Sequence, residues 1–240
     1  MLTDRYPLRQ VREHPLEPLD RRTWPATLPP VAQLLEAGLD LAPATVLVGE
    51  NGSGKSTLVE AIALAFGLSP EGGSTGARHS TRSTESELSR HLQLVRNPGG
   101  TKRGYFLRAE TMHGFFTYLE NNPSTSRTDT EFHSLSHGES FLSLAVDRFR
   151  GPGLWVLDEP ESALSFSGCL ALLGILKDLV ADGRSQVLLS THSPLLAALP
   201  GARILELGAW GFRERGWHEL DLVTNWKSFL DTPERYLRRL

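Results

Sequence analysis

Apolar residues fall in short unbroken runs separated by polar, glycine-rich stretches. Ala44-Thr45-Val46-Leu47-Val48 stops at Gly49, as a strand buried on both faces would, and Ser56 to Phe66 then reads as a helix ended by Gly67 and Pro70. Tyr105-Phe106-Leu107, Leu154-Trp155-Val156-Leu157, Gln186 to Leu189 and Arg203 to Leu207 repeat the strand pattern. Helical patterns lie between them: around Glu87 to Val95, over Met112 to Leu119, from the Ser136 region to about Phe149, and over Gly168 to Val180. Ser193-Pro194 starts a short helix, and Thr232-Pro233-Glu234 caps a last one ending at Leu240. Strands alternating with helices predict an α/β fold with a mainly parallel, doubly wound sheet. The opening segment carries Pro7, Pro15, Pro18, Pro25, Pro29 and Pro30, which favours edge strands and loops over helix. From Glu71 the chain turns polar and rich in glycine and serine, and Asn121 to Glu131 reads as loop. Residues 1–240 are therefore expected to form one domain, with about 71–150 as an inserted subdomain.

At 240 residues, 40% hydrophobic and 22% charged, the composition is that of an ordinary globular protein. A net charge of -3 excludes binding to nucleic acid through bulk positive charge, so any such contact must be local. The one cysteine, Cys169, sits in an apolar helical run and reads as a small buried hydrophobe. No stretch has the roughly 18 uninterrupted apolar residues of a membrane span, and the N-terminus lacks an apolar signal core. A cytoplasmic location without membrane insertion is expected.

Gly49 to Thr57, "GENGSGKST", satisfies G-x-x-x-x-G-K-[ST] and lies between a predicted strand and a predicted helix, the context this motif requires. In such a loop the glycines let backbone N–H groups turn inward around phosphate. Lys55 reaches the β- and γ-oxygens, and the Ser56 hydroxyl ligates Mg²⁺. "LWVLDEP", Leu154 to Pro160, ends an apolar strand on adjacent carboxylates. Phosphoryl transfer needs a metal held against the nucleotide and a water in line with the γ-phosphorus; Asp158 suits the first and Glu159 the second. His192 falls just past the third strand, where parallel sheets gather ligands, and suits a γ-phosphate sensor. In "SLSHGES", Ser134 to Ser140, Ser136 and Glu139 also have the spacing of a helix capping box. His133 and His137 have metal-pair spacing but straddle the predicted helix start, which argues against a metal site there.

These segments occur in an order that resembles the ABC-class ATPases: Walker A at Gly49 to Thr57, signature at Leu135 to Glu139, Walker B at Leu154 to Pro160, and switch histidine at His192. The flanks "NGSGKSTLVEAIALAFG", "GYFLRAE" and "SHGESFL" look like small stand-alone bacterial ATPases of the branch containing RecF and the SMC proteins. The resemblance implies a P-loop NTPase fold of ABC type, ATP and Mg²⁺ as cofactors, ATP hydrolysis, and ATP-dependent homodimerisation. Gly49, Asn51, Gly52, Ser53, Gly54, Lys55, Ser56 and Thr57 would hold the nucleotide, Ser56 and Asp158 the metal, and Lys55, Glu159 and His192 would act in catalysis. Ser136 and Gly138 would close over the nucleotide of a second copy. Three departures stand out. His137 replaces a signature glycine, and Ser165 stands where the D-loop usually ends in Asp. No Q-loop glutamine is evident beyond Gln93 or the segment near Arg108 and Glu110.

The stretch from Thr57 to Leu135 is too short for the coiled-coil arms of SMC proteins. DNA maintenance or repair is the leading expectation; seven Lys or Arg against two acids between Arg78 and Arg108 make a local patch that suits phosphate contact, and equally suits a solvated face or contact with the bound nucleotide. The alternative is a nucleotide-dependent switch or energy subunit acting on a protein partner in defence, signalling or transport, without DNA binding.

Overall fold

The computed structural model describes residues 6–69, 73–74, 87–109 and 137–238. Within these, ten strands follow in chain order: β1 (Leu8–Glu13), β2 (Leu39–Asp40), β3 (Ala44–Gly49), β4 (Gly73–Ser74), β5 (Leu92–Arg96), β6 (Gly104–Arg108), β7 (Leu154–Asp158), β8 (Gln186–Thr191), β9 (Arg203–Gly208) and β10 (Gly211–Glu214). The longer helices are α1 (Pro29–Ala37), α2 (Lys55–Phe66), α3 (His137–Arg148), α4 (Phe166–Val180) and α5 (Asp221–Asp231), with a terminal turn, α6 (Glu234–Leu237).

Seven strands form the main sheet in the order β10-β9-β3-β8-β7-β6-β4. The five from β9 to β6 run parallel, and β10 and β4 close the two edges antiparallel. Both faces are covered, which is why these strands are apolar along their length rather than alternating. Leu47, Phe106, Val156, Leu188 and Leu205 face a layer that includes Leu58 and Ile62 of α2 and Val31 and Leu34 of α1. Their chain neighbours Val46, Tyr105, Leu107, Trp155, Leu157 and Leu189 face Phe141 and Leu144 of α3 and Leu172 and Leu176 of α4. The predicted doubly wound, mainly parallel α/β architecture is the one observed.

A second, three-stranded antiparallel sheet, β2-β1-β5, packs over the first face. Gln186 joins it to the main sheet: its buried side chain accepts from Leu8 N at 2.9 Å and donates to Leu8 O at 2.7 Å and Ala42 O at 3.0 Å. The small sheet also accounts for the largest departure from expectation. Glu87 to Val95 is not a helix; Glu87–His91 is a single 3₁₀ turn and Leu92–Arg96 is β5. Strand β1 offers it an antiparallel ladder, pairing Val11 with Leu94 and Glu13 with Leu92, and this non-local pairing outweighs the local helical spacing.

The proline-rich start also yields more helix than expected. Pro29 and Pro30 lie in the first turn of α1, where a missing N–H leaves no bond unmade. After Ser193-Pro194 only a short 3₁₀ turn forms, Leu196–Ala198. Of the stretch 71–150, β4 and β6 join the main sheet, β5 joins the small one, and α3 covers the second face. The expected helix at Met112 to Leu119 and the loop at Asn121 to Glu131 lie outside the described residues. No helix among the described residues is long and apolar enough to cross a membrane.

Candidate functional site

The parallel strands end together, and their carboxyl ends carry the polar residues: Gly49 on β3, Arg108 on β6, Asp158 on β7 and Thr191 on β8. Register places Asp158 beside Ser190 on one side and beside Arg108 on the other. This is the edge at which open α/β sheets bind ligands.

Gly49 to Thr57 joins β3 to α2. Gly52 and Gly54 take φ values of 78° and 93°, a left-handed region that favours glycine. Gly49 is required for another reason, since a Cβ there would lie 2.6 Å from the Leu207 carbonyl oxygen and 2.8 Å from Ser53 Oγ. Gly49→Ala should therefore displace the loop or β9 and lower stability by about 1–3 kcal/mol, as read from a denaturant midpoint. Gly54 caps α2 without a side-chain hydrogen bond, and no acidic residue lies in the first turn. The helix thus presents its unpaired N–H groups and positive end to the loop. Ser53 Oγ is buried with no hydrogen-bond partner among the described residues. Asn51 and Gly52 are exposed and Ser56 and Thr57 half-buried at the mouth of the loop. This cradle, with open backbone donors and one unmatched hydroxyl, fits a polyphosphate.

Lys55 is 3% exposed and donates from Nζ to Glu50 O at 3.0 Å. Burial lowers its pKa, and the nearby carboxylates of Glu159, Asp158 and Glu161 oppose that shift. Asp158, 4% exposed, accepts a short hydrogen bond from the Ser190 hydroxyl and forms an ion pair with Arg108. Glu159 turns the chain out of the strand with φ 48° and ψ 51°, unusual for a residue with a side chain. Its N–H donates to Ser190 O at 3.1 Å, and its carbonyl accepts from Ser162 Oγ at 2.7 Å. Held this way, its carboxylate lies 3.0 Å from His192 Nε2. The backbone N–H of His192 donates to Glu161 Oε1 at 2.5 Å. Strain of this kind, fixed by surrounding bonds, is common where a side chain must be aimed.

The structure thus brings Lys55, Asp158, Glu159 and His192 together around one phosphate-shaped loop. Gly138 is placed apart, at the start of α3, where an added Cβ would approach the Ala163 carbonyl at 3.2 Å. It lines a cleft with Leu142, Ala163, Leu164 and Ser165. Ser136 lies outside the described residues, as do His133 and Glu110, and nothing is described of the His137 side chain. Ser165 caps α4, accepting from Gly168 N at 3.2 Å, so the position expected to carry Asp serves the helix start instead. Gln93 falls away as a site glutamine: it lies on β5 and accepts from Arg12 Nε at 2.8 Å. Two neighbours of the site escape a reading of the sequence alone. Glu161, one residue past Pro160, looks like a solvated turn residue, and Leu28 packs beside Gly54 although the two are far apart in sequence. Cys169 is buried, which pushes its thiol pKa up and leaves it inert packing.

A five-stranded parallel core with a glycine loop, buried lysine and strand-end carboxylates at its carboxyl edge defines a P-loop nucleoside triphosphatase. The ABC transporter family matches residues 35–162, more than half of the sequence. SsuB of Delftia acidovorans, an aliphatic sulfonates import ATP-binding protein, is 32% identical over 194 residues, covering 78% of each chain. A Streptomyces coelicolor protein assigned as an ABC transporter ATP-binding protein, SCO2324, is 32% identical over 180 residues; the match spans 67% of this chain but 31% of that relative. Among solved structures, the SMC head domain from Thermotoga maritima aligns with a TM-score of 0.43 at 16% identity, over 75% of this chain and 93% of that one. The chain belongs to the ABC transporter family, as an ABC-type ATPase. It binds ATP with Mg²⁺ and hydrolyses it. The relatives are transporter ATP-binding proteins, so the match supports the ABC class without singling out the RecF branch that the flanking segments suggest.

Proposed function

We propose that this chain is a nucleotide-driven energy subunit that acts on a protein partner through an ATP-dependent homodimer. Residues 1–240 would form one ABC-type domain, with about 71–150 carrying the signature. The convergence of Lys55, Asp158, Glu159 and His192 on the glycine loop carries this reading. Bound Mg²⁺ supplies neutralisation of phosphate charge. Ser56 and Asp158 would hold it, the latter from its outer sphere, while Gly49, Asn51, Gly52, Ser53, Gly54 and Thr57 supply the loop around the phosphates. Lys55 neutralises phosphate oxygens, Glu159 takes the proton of the attacking water, and His192 orients Glu159 and senses the γ-phosphate. Ser136 and Gly138, the latter at the start of α3, close over the nucleotide of a second copy. A ligand that touches two subunits shifts association by its differential affinity, so binding joins the pair and hydrolysis releases it.

The protein-partner reading is favoured over DNA maintenance by the import ATP-binding relatives and by the basic residues themselves. Arg108 is paired with Glu60 and Asp158, Arg96 lies over the Phe66 ring at 4.4 Å, and Arg103 lies over the Trp155 ring at 5.9 Å. Three of the seven basic residues are thus engaged within the fold, which weakens the case for a phosphate-binding patch. ATP hydrolysis measured with and without duplex DNA at two salt concentrations tests this. Rates indifferent to DNA are expected; stimulation that fades with salt would replace this reading with a DNA-directed one.

A further inference from the structure

Asp158 does not face the site with a free carboxylate. One oxygen accepts from the Ser190 hydroxyl, and the other lies 3.3 Å from Arg108 Nε. The far side of the same guanidinium reaches Glu60 Oε2 at 3.0 Å. These three charged side chains alternate in sign from α2 through β6 to β7, and each is largely shielded, with exposures of 13%, 19% and 5%. Parallel pairing seats Arg108 directly beside Asp158, and Glu60 rises from the helix that Lys55 begins. A guanidinium suits this place because its fork can engage two carboxylates at once and it does not lose its proton.

We propose that Arg108 is a positioning residue that sets the divalent-cation affinity of the site, with Glu60 drawing part of its charge away from Asp158. Asp158, Glu159 and Glu161 all lie close enough to act on Lys55, and such a cluster attracts divalent cations. The fixed positive charge on Asp158 offsets that attraction, so that Mg²⁺ enters with the charge of the nucleotide phosphates rather than alone. The inference rests on the reading of Asp158 as a metal-holding residue.

Two substitutions pull the affinity in opposite directions. In Arg108→Gln the positive charge is gone and the cation binds more tightly. In Glu60→Gln the guanidinium is drawn more fully onto Asp158 and the cation binds more weakly. Simple loosening of the fold would weaken both.

The experiment is a Mn²⁺ titration of the full chain followed by electron paramagnetic resonance, with and without a non-hydrolysable ATP analogue. With the analogue, Arg108→Gln should tighten Mn²⁺ by about tenfold, Glu60→Gln should weaken it severalfold, and Arg108→Lys should stay near wild type. Without the analogue, Mn²⁺ binding should rise in Arg108→Gln alone. Unchanged or weaker Mn²⁺ binding by a folded Arg108→Gln protein that still takes up the analogue in EDTA overturns the inference and leaves the nucleotide site intact. Should Arg108→Gln fail to fold, Glu60→Gln decides: unchanged or tighter Mn²⁺ binding overturns it. A wild-type protein that binds no Mn²⁺ with the analogue removes the reading of Asp158 itself.

Discussion

Glu159→Gln should bind ATP with Mg²⁺ at close to wild-type affinity and fail to turn it over, accumulating as a dimer. Glutamine keeps the volume of the side chain and keeps a polar atom for His192 Nε2, which lies 3.0 Å from Glu159 Oε1. It also keeps the bonds that define the turn, because these come from the backbone: Glu159 N to Ser190 O and Ser162 to the Glu159 carbonyl. The left-handed conformation at φ 48° is equally costly for both residues, so the fold has no reason to change. What disappears is the carboxylate that accepts a proton from water. General-base contributions are typically about 10²–10⁴-fold, and kcat should fall by that amount while ATP affinity stays within a few-fold. If the second copy lends its α3 corner to the pocket, the stalled ATP state keeps the two chains together. Size-exclusion chromatography with light scattering, in ATP and Mg²⁺, should then show a dimer that wild type forms only transiently. A variant that stays monomeric with ATP bound removes the shared-site reading and leaves only hydrolysis.

Both the main sheet and the convergent site were legible because the information is local in sequence. Ala44 to Gly49, Leu154 to Asp158 and Gln186 to Thr191 are buried on both faces and so print as largely apolar runs, and each ends at the sheet edge that carries the site. The parts that were not legible depend on distant partners. Leu92–Arg96 carries a spacing compatible with a helix, and only β1, some eighty positions earlier, makes it a strand. Arg108 looks like one member of a basic stretch until β6 is paired with β7, after which it is the neighbour of Asp158. Glu161 follows Pro160 in what reads as an acidic turn, yet the turn folds its carboxylate under the His192 backbone. Periodicity reports burial, whereas electrostatic partnership across a sheet needs the register.

Lys55→Ala should lose nucleotide binding while leaving the fold intact, and the two halves of that expectation have one cause. Lys55 is buried, and burial disfavours its charged form; in the chain alone its ammonium group donates to the carbonyl of Glu50. A lysine kept in such a place contributes little to stability, since the desolvation it suffers offsets most of what the neighbouring carboxylates return. Its removal should move the melting temperature of the nucleotide-free protein by only a few degrees. The ligand experiences the opposite. With Lys55 absent, the pocket keeps Asp158, Glu159 and Glu161 but loses the ammonium group that meets the phosphate oxygens, since Arg108 is already engaged by Asp158 and Glu60. Loss of a charge-assisted contact, together with repulsion from carboxylates that Lys55 no longer offsets, should weaken ATP by about a hundredfold or more, which corresponds to roughly 2.7 kcal/mol. Calorimetric titration with ATP and Mg²⁺ reads this directly. Wild-type affinity in Lys55→Ala would mean that the loop amides and the end of α2 hold the phosphates unaided. A large fall in melting temperature would mean that Lys55 is a structural ion rather than a ligand-binding one.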